Sequence, residues 1–127
     1  MTQPVHVPNE SPEVKVMGEA QRGGLKYRLL IDAGYGPTTG IAQGIFYLYD
    51  SHTESRHRHQ LAETVHVLDG SGKVTIEDRE ITLSVGDTVF IPAGHRHGFE
   101  AEGTLTMLFT FACDSFSDVE YDYGDAA

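Results

Sequence analysis

The sequence predicts an all-β chain folded as a sandwich or closed barrel, and three observations carry that prediction. Apolar residues recur at every second position in several short runs, turn residues separate those runs, and no long stretch holds a helical period. Residues 25–31, rich in Leu, Tyr and Ile, read as the first strand. Residues 32–44 contain Gly34, Gly36, Pro37, Gly40 and Gly44 and read as a loop, and the compact apolar run 45–49 reads as the next strand.

The later half is clearer. Residues 63–68 lead into Asp69-Gly70-Ser71-Gly72, after which Val74 and Ile76 alternate with Lys73, Thr75 and Glu77; this predicts a hairpin around a glycine-rich turn. Residues 80–83 and 88–91 follow, parted by Ser84-Val85-Gly86-Asp87, and Leu105, Met107, Phe109 and Phe111 then alternate with Thr106, Leu108 and Thr110. Eight or more short strands result. The stretch 45–68 has no Gly or Pro except in its flanks and is the one competitor for a helix. A helix there would gather His59, Glu63 and His66 on one face but leave His57 on another, so strands are the better reading.

Length and charge limit the function. The 127 residues make one domain, 39% hydrophobic and 22% charged, with a formal net charge of −10, which argues against binding nucleic-acid backbone or an anionic membrane. Residues 1–24 read as an N-terminal arm, 25–113 as the barrel and 114–127 as an acidic C-terminal tail, solvated and holding Asp114, Asp118, Glu120, Asp122 and Asp125. Cys113 is the only cysteine, so an intrachain disulfide is excluded, and it reads as a small buried hydrophobe. The opening residues lack the pattern of a secretory signal and no run is long enough to span a bilayer, so the expected location is the cytoplasm.

The chemistry lies in the histidines, six of which fall between His52 and His97. In extended backbone, His57 and His59 point to one face and Arg56 and Arg58 to the other, which makes a two-toothed metal clamp. Glu63 can add a carboxylate oxygen if the chain bends back, and His95-Arg96-His97 offers the same alternation on a later segment. Three imidazoles and one carboxylate would suit a divalent transition metal such as Zn, Fe, Mn or Ni. His66 should face away from Glu63, as a surface residue or oligomer contact, whereas Gln60 is close enough in sequence to reach the mouth of the site.

These residues resemble the two cupin motifs. His57, His59, Glu63 and Gly70 reproduce the spacing of the first, and Gly86, Pro92, Gly94 and His97 that of the second. Two departures stand out: Ser51 occupies the place of a glycine before the first motif, and Ala101 that of an asparagine after the second. The resemblance, over roughly residues 25–111, implies a cupin double-stranded β-helix, a small jelly-roll-like barrel. It also implies one divalent metal on His57, His59, Glu63 and His97, and a homodimer. Val65, Val67, Leu105, Met107, Phe109 and Phe111 would wall the interior, with Tyr47 or Tyr49 as further inward candidates.

The size and the ending Phe116-Ser117-Asp118-Val119-Glu120-Tyr121 are similar to small single-domain cupins that include the dimethylsulfoniopropionate lyases. That resemblance makes Tyr121 a catalytic candidate, while the tyrosine those lyases carry two residues after the metal glutamate is Val65 here. The expected function is Lewis-acid catalysis, of the lyase, isomerase or cyclase type, on a small carboxylate or carbonyl compound. An Fe(II)-type dioxygenase and a non-enzymatic metal- or ligand-binding cupin are the alternatives.

Overall fold

The computed structural model describes residues 1–9, the backbone of 15–16, and residues 26–49 and 52–124. Seven strands occur among them: β1 (Lys15–Val16), β2 (Lys26–Ile31), β3 (Ala42–Leu48), β4 (Glu63–Ile76), β5 (Arg79–Leu83), β6 (Thr88–Ile91) and β7 (His97–Phe111). All pairing is antiparallel, in the order β1-β2-β3-β7-β4-β5, with β6 paired to β4. The all-β, antiparallel architecture expected from the sequence is therefore the one observed.

The alternation that predicted the strands also builds the core. Ala42, Phe46 and Leu48 of β3, Val65 and Val67 of β4, and Leu105, Met107, Phe109 and Phe111 of β7 are all buried. Tyr47 and Tyr49 fall on the other parity and do not face inward; Lys26 sits over the Tyr49 ring instead. β3 begins at Ala42, inside the stretch read as loop, because Gly44 lies against the Phe109 ring and the backbone of Arg28, where a side chain would collide.

The glycine-rich turn at 69–72 is not a turn. β4 runs through it as a single 14-residue strand in place of two of the short ones expected, and the 15-residue β7 beside it extends the expected 105–111 strand back to His97. The partners shift register there, from Gly70↔Leu105 to Gly72↔Ala101, which bends both strands. A Cβ on Gly70 would lie 2.0 Å from the Thr104 carbonyl oxygen, and one on Gly72 2.2 Å from that of Glu100. The glycines thus permit a close crossing of two backbones at the barrel corner rather than a reversal. The real hairpin lies one step on, joining Ile76 to Arg79 through Glu77 and Asp78, with Glu77 at φ 53. No glycine marks it. Glu77 is held there by its N–H to the Arg96 carbonyl and by the Arg96 N–H to its carboxylate.

The C-terminal segment is docked rather than solvated. After β7 the chain crosses the barrel mouth, makes a short 3-10 turn at Phe116–Asp118, and buries Val119. Buried Asp32 anchors it by accepting hydrogen bonds from the Ser115 hydroxyl and the Phe116 N–H, and Arg58 and Asp122 exchange two backbone hydrogen bonds. Its acidic side chains at 114, 118, 120 and 122 remain exposed, so the segment pairs a charged outer face with an apolar inner one. Cys113 is half-buried, its thiol donating to the Ser115 carbonyl. Within the proposed arm, the Gln3 N–H bonds the Pro37 carbonyl and the Arg28 side chain bonds the Pro8 carbonyl. Residues 10–14 and 17–25, with 50–51 and 125–127, lie outside the described residues.

Candidate metal centre

Barrel curvature brings the site together. Glu63 is the first residue of β4, and His97, the first of β7, pairs with Ile76 at the far end of β4. On a flat sheet they would sit at opposite ends of one ladder. Here the Glu63 carboxylate lies 3.6 Å from His97 Nε2 and 3.3 Å from His59 Nε2. His57 and His59 arrive on an extended segment whose parity matches expectation: both rings are buried, and Arg56 between Ser55 and His57 is exposed. The segment is fixed by His57 and His97, each donating its backbone N–H to the other's carbonyl.

All three imidazoles have their tautomer set by the same device. Nδ1 of His57 donates to the Ser55 carbonyl, that of His59 to the Leu61 carbonyl and that of His97 to the His95 carbonyl, at 2.7–2.9 Å. A carbonyl can only accept, so Nδ1 carries the proton and Nε2 keeps its lone pair. Nε2 of His59 and of His97 is buried with no hydrogen-bond partner of acceptable geometry. One ligand nitrogen from each of His57, His59 and His97 lies within 4.8 Å of the others. Burial, with help from neighbouring His97, lowers the His57 pKa to about 3, so the ring stays neutral and able to ligate. Burial alone would raise the Glu63 carboxyl, but contacts with His59 and His97 outweigh it and hold the group below its ordinary value.

Orphaned lone pairs converging on a carboxylate are costly in a protein interior unless something satisfies them. A divalent transition metal does: neutral imidazole nitrogens and a carboxylate oxygen are its ordinary donors, and the three-histidine cluster can bind one.

A small cavity of about 10 Å³, room for about one water, adjoins the cluster and is lined by His57, Glu63, Glu54, Tyr27, Phe116 and Tyr121, among others. Tyr121 lies over the histidines, its ring 4.9 Å from that of His57 and 5.4 Å from that of His59. Tyr123 is 5.4 Å from His57 and stacks on Tyr121. On the other side of Tyr27, Phe116 and Tyr121, an open groove of about 430 Å³ runs between β2 and the C-terminal segment.

Other sequence candidates fall elsewhere. Gln60 does not reach the site; its amide donates to the Asp118 carbonyl and accepts from the Glu120 N–H, pinning the C-terminal segment. His95 is exposed, because Gly94 at φ 80 turns the chain before it and breaks the parity with His97. His66 faces away as expected, against the Thr88 hydroxyl. Tyr27, Glu54, Phe116 and Tyr123 were not anticipated. For Glu54 no sequence signal exists, since the chain between it and His57 does not keep a two-residue alternation of burial.

A β-barrel with inward histidines on two separate segments defines the class: a cupin with a candidate metal centre. The comparisons agree, for the cupin domain model matches residues 45–113, and this chain belongs to that family. It is 32% identical over 107 residues to dimethylsulfoniopropionate lyase DddW of Ruegeria pomeroyi, an alignment covering 83% of this chain and 70% of that one. Two solved structures share the fold. The polyketide cyclase RemF of Streptomyces resistomycificus is 22% identical with a TM-score of 0.79, covering 98% of this chain and 87% of its own. An RmlC-like cupin of Shewanella frigidimarina is 23% identical with a TM-score of 0.74, covering 93% and 98%.

Proposed function

We propose that this protein is a metal-dependent enzyme acting on a small carboxylate, by a lyase-type reaction that begins with loss of a proton beside the carboxyl group. The observation that carries the proposal is the convergence of the unpartnered Nε2 atoms of His59 and His97 on the Glu63 carboxylate, with His57 beside them, next to a small cavity that His57, Glu63 and Tyr121 line. His57, His59, Glu63 and His97 would hold one divalent ion, Zn, Fe, Mn or Ni. When bound, such an ion supplies Lewis acidity to a carboxylate or carbonyl oxygen.

The chain's own residues do the rest. The ring of Tyr121 lies over the cluster, and its phenol serves as hydrogen-bond and proton donor to a substrate there. Phe109, Phe99 and Phe116 exclude water around the reacting carbons. The cavity has room for about one water, so the body of a substrate is assigned to the open groove beyond Tyr27 and Phe116. The named activity of the relative supports the reaction type; the valine at position 65 departs from it. A homodimer is part of the reading, supported by exposed Ile41 and Phe90 beside Thr64 and Thr110 on the outer face.

The test is to load the full chain in turn with Zn, Mn, Fe(II) and Ni and follow dimethylsulfoniopropionate and a panel of other small carboxylates by proton NMR in D₂O. Metal-dependent elimination, or exchange of the proton next to the carboxyl, supports the reading. Absence of both with every metal rejects it, and oxygen consumption with Fe(II) alone would favour a dioxygenase.

A further inference from the structure

We infer that Glu54 is a second catalytic carboxylate in this site, the acceptor of the substrate proton, acting across the cavity from Glu63. The inference rests on the reading above and deepens it.

Glu54 is 5% exposed and lines the same cavity as His57, Glu63, Tyr27 and Tyr121. A buried carboxylate beside a candidate metal centre stands where an acid–base group can act on a bound molecule. Glu63 faces His59 and His97, and Glu54 lines the cavity with it. The backbone holds Glu54 rigidly. Its N–H bonds the Phe99 carbonyl at 2.8 Å, Thr53 pairs with Glu100, and a Cβ on Gly98 would come within 2.8 Å of the Glu54 carbonyl oxygen. Gly98 thus lets the loop press against β7 at this point.

Val65 has no acid–base group, and Tyr121 is a phenol, better suited to donating a proton than to taking one at neutral pH. A carboxylate is the remaining acceptor lining the cavity. The substrate class is a small carboxylate with a leaving group on its β carbon. The bond from the α carbon to hydrogen breaks, the proton goes to the Glu54 carboxylate, and the released pair forms the carbon–carbon double bond. The bond to the leaving group breaks with its pair departing on that group. With dimethylsulfoniopropionate the products are dimethyl sulfide and acrylate, and Glu54 then returns its proton to water.

The experiment uses the full zinc-loaded chain, with propionate binding by titration calorimetry and dimethylsulfoniopropionate turnover by NMR. Glu54→Gln is expected to keep its zinc and to bind propionate about tenfold tighter, because a like charge is removed from the cavity. Turnover should fall about 100-fold or more. Unchanged or weaker propionate binding with zinc retained, or undiminished turnover, overturns the inference. Loss of zinc in both Glu54→Gln and Glu54→Asp also overturns it, since Glu54 would then be structural. Should Glu54→Gln fail to fold, Glu54→Asp, drawn back by one methylene, is expected to bind propionate about twofold tighter, and an unchanged affinity overturns the inference. If wild-type protein turns over no carboxylate, the proposed function falls and the propionate arm alone decides whether Glu54 faces the ligand.

Discussion

His57 and His97 form a reciprocal backbone pair, each donating its N–H to the other's carbonyl at 2.9 and 2.8 Å, with their rings 4.4 Å apart. Residues 40 positions apart in sequence are thereby locked in one register, so the spacing of two candidate ligands is set by main-chain geometry rather than by side-chain packing. Substituting either ring should therefore leave the pair intact. His57→Ala and His97→Ala are each expected to fold, shown by an unchanged far-ultraviolet spectrum, and to lose bound metal by about tenfold or more in elemental analysis. Full metal content in both variants would disprove the ligand assignment.

The same burial makes the metal-free protein acid-sensitive. His57 titrates at about 3 when folded, below its ordinary 6.5, so the unfolded chain takes up a proton that the folded one refuses. The stabilising contribution is complete above pH 6.5 and is lost as pH falls toward 3, a change of a few kcal/mol. Urea unfolding of metal-free protein across that range measures it. His57→Ala should flatten the profile.

The barrel corner gives a stability test with an internal control. Gly70→Ala would set a Cβ 2.0 Å from the Thr104 carbonyl oxygen at φ +85, while Gly86→Ala, at φ +94, meets nothing within 4 Å. Gly86→Ala is expected to cost about 1 kcal/mol in backbone strain. Gly70→Ala should cost about 3 kcal/mol or more, or prevent folding. Chemical denaturation of the pair separates the close crossing from simple turn strain.

Asp32 ties the C-terminal segment to the barrel by accepting two hydrogen bonds, from the Ser115 hydroxyl and Phe116 N–H, and it also accepts a local one from Gly34 N–H. Asp32→Ala leaves those donors unpaired and is expected to cost about 2–4 kcal/mol. Release of the segment should be visible as faster proteolysis near residues 115–123. An unchanged cleavage rate would mean the apolar contacts of Phe116 and Val119 hold it alone.

Tyr121→Phe removes the phenol and keeps the ring packing on His57 and Phe116. Turnover of whichever carboxylate proves active is expected to fall about 100-fold. Metal content should stay at the wild-type level.

What could be read from the sequence follows what period and spacing encode. The inward set from Leu105 to Phe111 and the shared inward face of His57 and His59 were legible because extended backbone alternates strictly. Gly70 and Gly72 misled for a physical reason: glycine serves both tight turns and close backbone crossings, and composition alone does not separate them. The true turn at Glu77 and Asp78 was silent because tertiary hydrogen bonds, not residue type, hold its positive φ. Glu54, Gln60 and the docking of Phe116 and Tyr121 depend on chain segments far apart in sequence, for which one unaligned chain carries no local signal.

The central claim is that one cation is gripped by His57, His59, Glu63 and His97. X-ray absorption spectroscopy of the zinc-loaded protein tests it most directly. Three imidazole nitrogens at about 2.0–2.1 Å and one carboxylate oxygen at a similar distance are expected, with one imidazole lost in His97→Ala. A shell of oxygens without histidine scattering, or a spectrum unaltered by that substitution, would contradict the account.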